Sequence, residues 1–450
     1  MCGIIGMFSD KDVTKPLFYG LSSLQHRGQE SAGLSIGNGQ EIIRKKGMGL
    51  VTDVFTPSIL EEWKGNVGIG HVRYSTSGGS YEYNSQPLMA FARGETLSLA
   101  HNGNLINYQI LRTRLEEEGM MFQTTIDSEV ILYLISRYYH GDIVDAIRKT
   151  MDLIEGAYAI VLILKDTLVA FRDPYGIRPL VLGKKPGEGT IVSSESSSVE
   201  IMGGQVLRDI HPGEIVVIDK SGQQSYQYKH EQKTPKHCVF EYVYFARNDA
   251  TLDGVNAYMF RRRCGEILYD EAPANVDLVI PVPDSGIPSA IGYSQRSKIP
   301  LAEGLVKNRY MGRTFIKPSQ EEREMAVKLK LNPLTHVVID KKIVLVDDSI
   351  VRGTTSANLI RRLRDAGAKE VHMRITSPPV INPCYYGIDT PQRSKLIAAN
   401  YSIEEIQKKI GADSLAFISL EGLDKATRIQ GEHLCKACFD GVYPVDPIVL

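Results

Sequence analysis

The run Ile343-Val344-Leu345-Val346-Asp347-Asp348-Ser349-Ile350-Val351-Arg352-Gly353-Thr354-Thr355-Ser356 restricts the fold more than any other stretch of the chain. A hydrophobic strand delivers two adjacent carboxylates into a loop of small hydroxyl residues, and a helix is expected from about Ser356 to Ala366. A helix N-terminus offers unpaired N–H groups and a favourable dipole to a phosphate. Thr354, Thr355 and Ser356 add hydroxyl donors, and Gly353 lets the backbone approach closely. Asp347 and Asp348 suit sugar hydroxyls, directly or through a hydrated Mg²⁺. The flanking rhythm agrees. Val276–Pro281 and Lys342–Val346 read as strands, Asp284-Ser285-Gly286 opens a helix, Gly367 ends another, and Glu370–Ile375 is the next strand. Such alternation means a parallel sheet with crossover helices.

The first half has a different rhythm. Up to about residue 230, short apolar runs (Val67–Val72, Leu97–Ala100, Tyr158–Leu164, Glu214–Ile218) are bounded by Gly, Pro, Asn and Asp. Two stretches are helical, Lys15–Gln25 and Asp127–Tyr139, the second with Asp127 and Ser128 as candidate caps. Many strands with few helices suggest a sandwich of sheets with helices outside. The polar segment Gly222–His237 is the expected linker, dividing the chain into domains 2–230 and 231–450. The expected class is α+β followed by α/β.

Chemistry in the first half centres on Cys2. Aminopeptidases remove Met1 before a small residue, and Cys2 would then carry a thiol and a free α-amine together. That amine has a reference pKa of about 7.7–8.0, against about 10.4 for lysine, so it can act as general base near neutral pH. Gln25-His26-Arg27-Gly28 forms a glycine-punctuated polar turn, and Gly70-His71-Val72-Arg73 carries a cation at a strand end. His101-Asn102-Gly103-Asn104 follows another strand, where the Asn102 amide and the Gly103 N–H together can form an oxyanion hole. Taken singly, Asn102-Gly103 is a turn and Arg73 a surface ion pair. In this order they read as nucleophile, base, oxyanion hole and an Arg73/Asp127 pair able to hold an amino acid.

Six cysteines in 450 residues do not make a disulfide scaffold. Cys238, Cys384, Cys435 and Cys438 suit either tetrahedral zinc or a [4Fe–4S] cluster, or are unliganded thiols, and spacing does not choose. Cys264 has no sequence partner and reads as a core thiol. A formal net charge of −1 gives no bulk attraction to nucleic acid or to an anionic membrane. No apolar run approaches the ~18 residues of a membrane span, and no secretory signal is visible, so a cytoplasmic location is expected.

The first-half residues together resemble the N-terminal-nucleophile glutaminase domain of class II glutamine amidotransferases. The resemblance implies that Cys2 attacks the glutamine amide, that Asn102 and Gly103 form the oxyanion hole, and that Arg73, Asp127 and Arg27 bind glutamine. The run 343–356 is similar to the 5-phosphoribosyl-1-pyrophosphate (PRPP) motif of type I phosphoribosyltransferases. It implies that Asp347, Asp348, Ser349, Arg352, Gly353, Thr354, Thr355 and Ser356 bind PRPP. Pro281-Val282-Pro283-Asp284-Ser285-Gly286 resembles that family's pyrophosphate loop, which places Ser285 with Asp347 and Asp348 on Mg²⁺. The segment 307–315, with Lys307 and Arg309, looks like its closing loop.

Both halves in this order resemble the glutamine phosphoribosylpyrophosphate amidotransferases, which make 5-phosphoribosylamine at the start of purine synthesis. In that family ammonia passes inside the protein to C1 of PRPP. One branch carries a [4Fe–4S] cluster in the sequence contexts of Cys238, Cys384, Cys435 and Cys438, which implies the cluster here. Purine nucleotide inhibition and a homotetramer are implied by the resemblance alone. A hexosamine-phosphate synthase would leave residues 343–356 without a purpose. A PRPP-sensing regulator would not need Cys2, Arg73, Asn102 and Asp127 together. A stand-alone glutaminase would show no PRPP dependence.

Overall fold

The computed structural model describes residues 1–74, 78–230, 233–308, 331–390 and 392–447. Two antiparallel sheets fill the first half. One runs Gln205–Asp209, Val181–Lys185, Gly189–Ser193, Gly3–Ser9, Val67–Arg73, Ser31–Gly37, Ile42–Met48. The other runs Gly222–Gln227, Glu214–Asp219, Thr167–Arg172, Gly156–Leu164, Glu95–Leu105, Leu88–Ala92.

The strand Gly156–Leu164 explains why the sheets stack. Its Ala159, Val161 and Ile163 face the core between the sheets, beside Ile4, Val67 and Ile69. Its Tyr158, Ile160 and Leu162 face the opposite core, beside Val130, Ile131 and Ile147 of the helices Asp127–Tyr138 and Ile143–Met151. A strand that alternates between two apolar layers must be covered on both faces. On the outer face of the first sheet the helix Thr14–Ser23 buries Leu17 and Leu21. The expected sandwich with helices outside is the arrangement seen.

In the second half a parallel sheet has the order Leu278–Pro281, Lys342–Asp347, Glu370–Ile375, Ser414–Phe417. The helices Ile287–Ser297 and Thr354–Asp365 make the crossovers. Two expectations need correction. Gly222–Gln227, read as linker, is an edge strand pairing with Glu214–Asp219; an edge strand is solvated, so its Gln-rich sequence carries no apolar alternation. Asp127 does not cap its helix: the N-cap is Ile126 without a side-chain bond, and the Asp127 carboxylate is spent elsewhere.

Buried charge joins the halves. Arg172, at the end of Thr167–Arg172, donates from both terminal nitrogens to Asp253 at 2.8 Å, and His237 approaches the same carboxylate at 3.1 Å. Asp209 lies in this group with one carboxylate oxygen unpartnered among the described residues. Burial and the Asp253 charge push its pKa up to about 6. The folded form therefore holds the proton more tightly than the unfolded chain. Stability is greatest below the unfolded value of about 3.9 and falls as pH rises through about 6. Asp209→Asn is expected to raise stability by roughly 2–3 kcal/mol near pH 8 and to change little near pH 4, by denaturant titration. An equal effect at both pH values would contradict this placement of the proton.

Candidate active sites

Cys2 immediately precedes the central strand Gly3–Ser9, whose register begins Gly3↔Val72. Its carbonyl accepts from Arg27 Nε at 2.9 Å, and its N–H donates to Asn102 Oδ1 at 3.1 Å. The thiol lies 3.6 Å from the Tyr74 carbonyl. Because the Cys2 N–H can only donate, Asn102 Oδ1 must face it, and this turns Asn102 Nδ2 away. That nitrogen is buried and unpartnered among the described residues. It is a donor with no partner on the residue that holds the Cys2 nitrogen, the kind of group an oxyanion hole uses. Gly103 has φ +152°, and a Cβ there would lie 1.9 Å from the Ala157 carbonyl, so no side chain fits.

Cys2, Arg73, Gly103 and Asp127 line one open pocket of about 270 Å³. Arg73 is buried and ion-paired with Glu30, and Asp127 accepts from the Leu105 N–H at 2.8 Å. Behind them, His101 Nδ1 meets Ser128 Oγ at 3.0 Å, and Gln86 bonds both Ser128 and the His101 N–H. His71, pushed down to about 3 by burial and by the Arg73 charge, stays neutral at neutral pH, and burial lowers His101 as well. With Met1 in place the α-amine belongs to Met1, and burial pushes it down to about 5.

Arg27 takes a different place from the expected contact with glutamine. Beyond the Cys2 carbonyl, it donates to Glu195 at 2.6 Å and to both oxygens of Glu241 at 2.8 and 3.0 Å. Its guanidinium is fully buried and holds the nucleophile's backbone. Burial alone would raise Glu195, but His26 and Arg27 hold it well below the usual carboxylate range. Glu195 and Glu241 were not singled out by any sequence motif, and only their burial against Arg27 identifies them; Glu30 lies just after the Gln25–Gly28 turn and is known only from its pairing with Arg73. Arg27→Met is expected to lower stability by about 3–5 kcal/mol, because two buried carboxylates lose their partner. Thermal unfolding measures this; a loss below about 1 kcal/mol would mean that they find other donors.

In the second site Asp347 ends its strand and Asp348 begins the loop. Ser285 donates to Asp348, Ser349 Oγ donates to it at 2.5 Å, and the Asp348 N–H donates to Asp347 Oδ1 at 2.9 Å. Burial raises both carboxyl groups, and the neighbouring negative charge raises Asp347 further. The helix begins at Thr354, two residues earlier than expected, with Gly353 as N-cap at φ +78°. Thr354, Thr355 and Arg352 are exposed and Ser356 is buried. Lys307 pairs with Asp284 of the neighbouring loop. Arg309 and the rest of the expected closing loop from 309 lie outside the described residues, as do Ser75 and Thr76. Arg261, which no motif marked, acts electrostatically on Asp348.

The structure also brings Cys238, Cys384, Cys435 and Cys438 together. Cys238 and Cys435 are register partners in a two-residue parallel bridge, and Cys438 O accepts from the Ile381 and Asn382 N–H groups. Cys384 Sγ accepts from the Tyr386 N–H at 3.4 Å. All are unbridged, and burial, followed by the neighbouring thiols, pushes Cys435 and Cys438 up. Among the described residues no three His, Cys, Asp or Glu side chains are grouped closely enough to hold a metal ion as they stand. Cys264 is a fully buried helix thiol, as expected.

Known proteins match both halves of the chain. Residues 71–200 match the glutamine amidotransferase domain model, and residues 252–376 match the phosphoribosyl transferase domain model. The chain is 51% identical to the amidophosphoribosyltransferase of Methanothermobacter thermautotrophicus, over 98% of this chain and 94% of the relative. It is 46% identical to that of Archaeoglobus fulgidus, over 99% and 98%. A solved structure of glutamine PRPP amidotransferase from B. subtilis, complexed with ADP and GMP, superposes with a TM-score of 0.93 at 42% identity, covering 99% of this chain and 98% of that one. The chain belongs to the amidophosphoribosyltransferase family.

Proposed function

We propose that the chain makes 5-phosphoribosylamine, glutamate and pyrophosphate from glutamine and PRPP. The observation carrying this reading is the contact between its halves. The Tyr385 carbonyl accepts from Asn104 Nδ2 at 2.8 Å, and Gly387 packs against the backbone of Gly103. The strand that carries Asn102 and Gly103 is thus tied to the segment that leaves the strand Glu370–Ile375 of the second-half sheet. Domain bounds of 2–230 and 231–450 follow from this reading.

Removal of Met1 would give the α-amine to the Cys2 nitrogen already held by Asn102 Oδ1. The amine takes the thiol proton, and sulfur attacks the glutamine amide carbon. Asn102 Nδ2 and Gly103 N–H stabilise the oxyanion, ammonia leaves, and water hydrolyses the thioester to glutamate. Arg73 and Asp127 would bind the amino acid's carboxylate and amine. Ammonia then attacks C1 of PRPP as the C1–O bond to pyrophosphate breaks. Bulk water would protonate it to ammonium, which is no nucleophile, and this favours an enclosed route between the sites.

Residues 349–356 would hold the 5-phosphate. Asp347, Asp348 and Ser285 would hold Mg²⁺, which supplies charge neutralisation at the pyrophosphate. A [4Fe–4S] cluster on Cys238, Cys384, Cys435 and Cys438 is the reading the family resemblance favours, although no three His, Cys, Asp or Glu side chains among the described residues are grouped closely enough, as they stand, to hold a metal ion. The cluster's role would be structural. Six free thiols fit a reducing cytoplasm. Purine nucleotide inhibitors and a homotetramer complete the reading; the B. subtilis neighbour is complexed with ADP and GMP.

Cys2→Ala is expected to lose glutamine-dependent pyrophosphate release from PRPP and Mg²⁺ while keeping the ammonia-dependent reaction. Asn102→Ala should lower glutamine-dependent kcat about 10²–10³-fold with the ammonia reaction intact. If neither nitrogen source releases pyrophosphate with wild type, the phosphoribosyl assignment fails and a glutaminase remains. Fully active enzyme still beginning Met1-Cys2 would sink the amine-base mechanism.

A further inference from the structure

The strand Leu88–Ala92 covers one edge of Glu95–Leu105 only as far as the pair Leu88↔Leu99, while on the other edge Gly156–Leu164 stays paired out to Leu105↔Gly156. Beyond Leu99 the first edge has no strand, and Gln86, His101 and Gly103 line the pocket of Cys2 there. Gly103 and Tyr158 are register partners, and the Tyr158 N–H and carbonyl turn away from this ladder to Asp173. Partners in an antiparallel pair both turn into the ladder or both turn out of it, so the Gly103 N–H points to the open edge. His101 presents its own N–H and carbonyl to that edge as well, where side chains take them. The N–H donates to Gln86 Oε1 at 2.8 Å, and the carbonyl accepts from His71 Nε2 at 3.2 Å.

Gln86 does more than stand in for the missing strand. Because the His101 N–H can only donate, Oε1 must face it, and this turns Nε2 to Ser128 Oγ at 3.0 Å. Ser128 Oγ in turn meets His101 Nδ1 at 3.0 Å and Asp127 Oδ1 at 3.4 Å. Gln86, His101, Ser128 and Asp127 are all buried, so a lost bond here is not replaced by bulk water. One end of the carboxamide is thus fixed beside Asn102 and Gly103 on the strand Glu95–Leu105, and the other beside Asp127 on the helix Asp127–Tyr138. Gln86 bonds to both elements from a third segment of chain.

We propose that Gln86 is a positioning residue for glutamine hydrolysis, its side-chain amide fixing the spacing between the oxyanion donors Asn102 and Gly103 and the Asp127 carboxylate that anchors the substrate's amino group. The proposal rests on the roles given above to those three residues. The oxyanion donors and Asp127 must grip opposite ends of one glutamine, so the length of the substrate dictates how far apart they stand. An amide bonded at both ends holds that spacing before the substrate arrives, and none of the cost of setting it falls on binding.

The test compares full-length wild type, Gln86→Met, Gln86→Glu and Ser128→Ala on PRPP and Mg²⁺, with glutamine or with ammonia as nitrogen source. Gln86→Met keeps the length of the side chain and removes both bonds. It is expected to lose about 10²-fold in glutamine-dependent kcat/KM, with kcat lowered and the KM for glutamine raised, while the ammonia reaction is unchanged. Gln86→Glu still accepts the His101 N–H and can take the Ser128 hydroxyl hydrogen, so it should recover part of kcat. Ser128→Ala breaks the link on the Asp127 side alone, and KM should rise there with kcat near wild type. Wild-type kcat and KM in Gln86→Met overturn the proposal. An equal loss with ammonia also overturns it, since the fold rather than the glutamine site is then affected. A rise in KM alone in Gln86→Met overturns the two-ended role. Should Gln86→Met fail to fold, Gln86→Asn, too short to span both partners, takes its place with the same expectations. If Cys2→Ala keeps the glutamine reaction, the glutaminase reading itself fails, whatever the Gln86 variants do.

Discussion

Arg27 ties together three segments, two of them already neighbours in the first sheet and the third from the second half. Its nitrogens hold the carbonyl of Cys2, Glu195 before the helix Ser196–Ile201, and Glu241 of the second half. A guanidinium buried without partners would cost several kcal/mol, so each carboxylate must arrive before the fold is stable. The strand Gly3–Ser9 is fixed by pairing only from Gly3 onward, against Val72. Cys2 lies just beyond that ladder, where a chain end would fray. The ion triad replaces the missing ladder, and the reactive thiol is held by charge where pairing stops.

The second constraint concerns distance between chemistries. The strand Glu370–Ile375 lies beside Lys342–Asp347, and the Thr376 N–H donates to the Asp347 carbonyl at 3.0 Å. A short stretch of chain then carries Cys384 and reaches Gly103 and Asn104 through Tyr385 and Gly387. One segment therefore touches the acidic pair at one end and the oxyanion strand at the other. Its middle is fixed by the cysteines, since Ile381 and Asn382 donate to the Cys438 carbonyl. The Cys438 backbone therefore anchors the middle of a segment whose two ends reach the two sites.

How far the sequence reaches can be argued residue by residue. The parallel sheet is legible because Ile343–Val346 is a short continuous apolar run, Glu370–Ile375 alternates, and both are flanked by turn residues; both strands fall within a residue of their expected bounds. Cys2, Asn102 and Gly103 stand out in the sequence by residue type, but His101–Asn104, expected to follow a strand, lies inside the strand Glu95–Leu105, where Asn102 and Gly103 are register partners of Ala159 and Tyr158; a polar run with glycine carries no apolar strand signal. Arg27 was visible as a candidate but not in its role, since a guanidinium's partners come from residues 168 and 214 positions away. Glu195, Glu241 and Arg261 carry no local signal at all. Gly222–Gln227 was hidden for the opposite reason, as an edge strand looks like a linker when neither face is buried.

The unpaired atoms sort the buried polar groups. Among the described residues several interior hydroxyls lack partners, among them Ser31, Tyr158 and Tyr242, as do Asn102 Nδ2 and two nitrogens of Arg178. A hydroxyl left unpaired is a modest cost spread through a core of this size, whereas an unpaired buried amide or guanidinium costs more. The same reasoning separates Asp127 from the acidic pair. Asp127 is satisfied by the Leu105 N–H and remains a fixed anchor, whereas Asp347 and Asp348 repel each other in a buried loop until a cation or hydroxyl comes between them. In this chain, incomplete satisfaction at a charged site locates chemistry more reliably than burial or motif does alone.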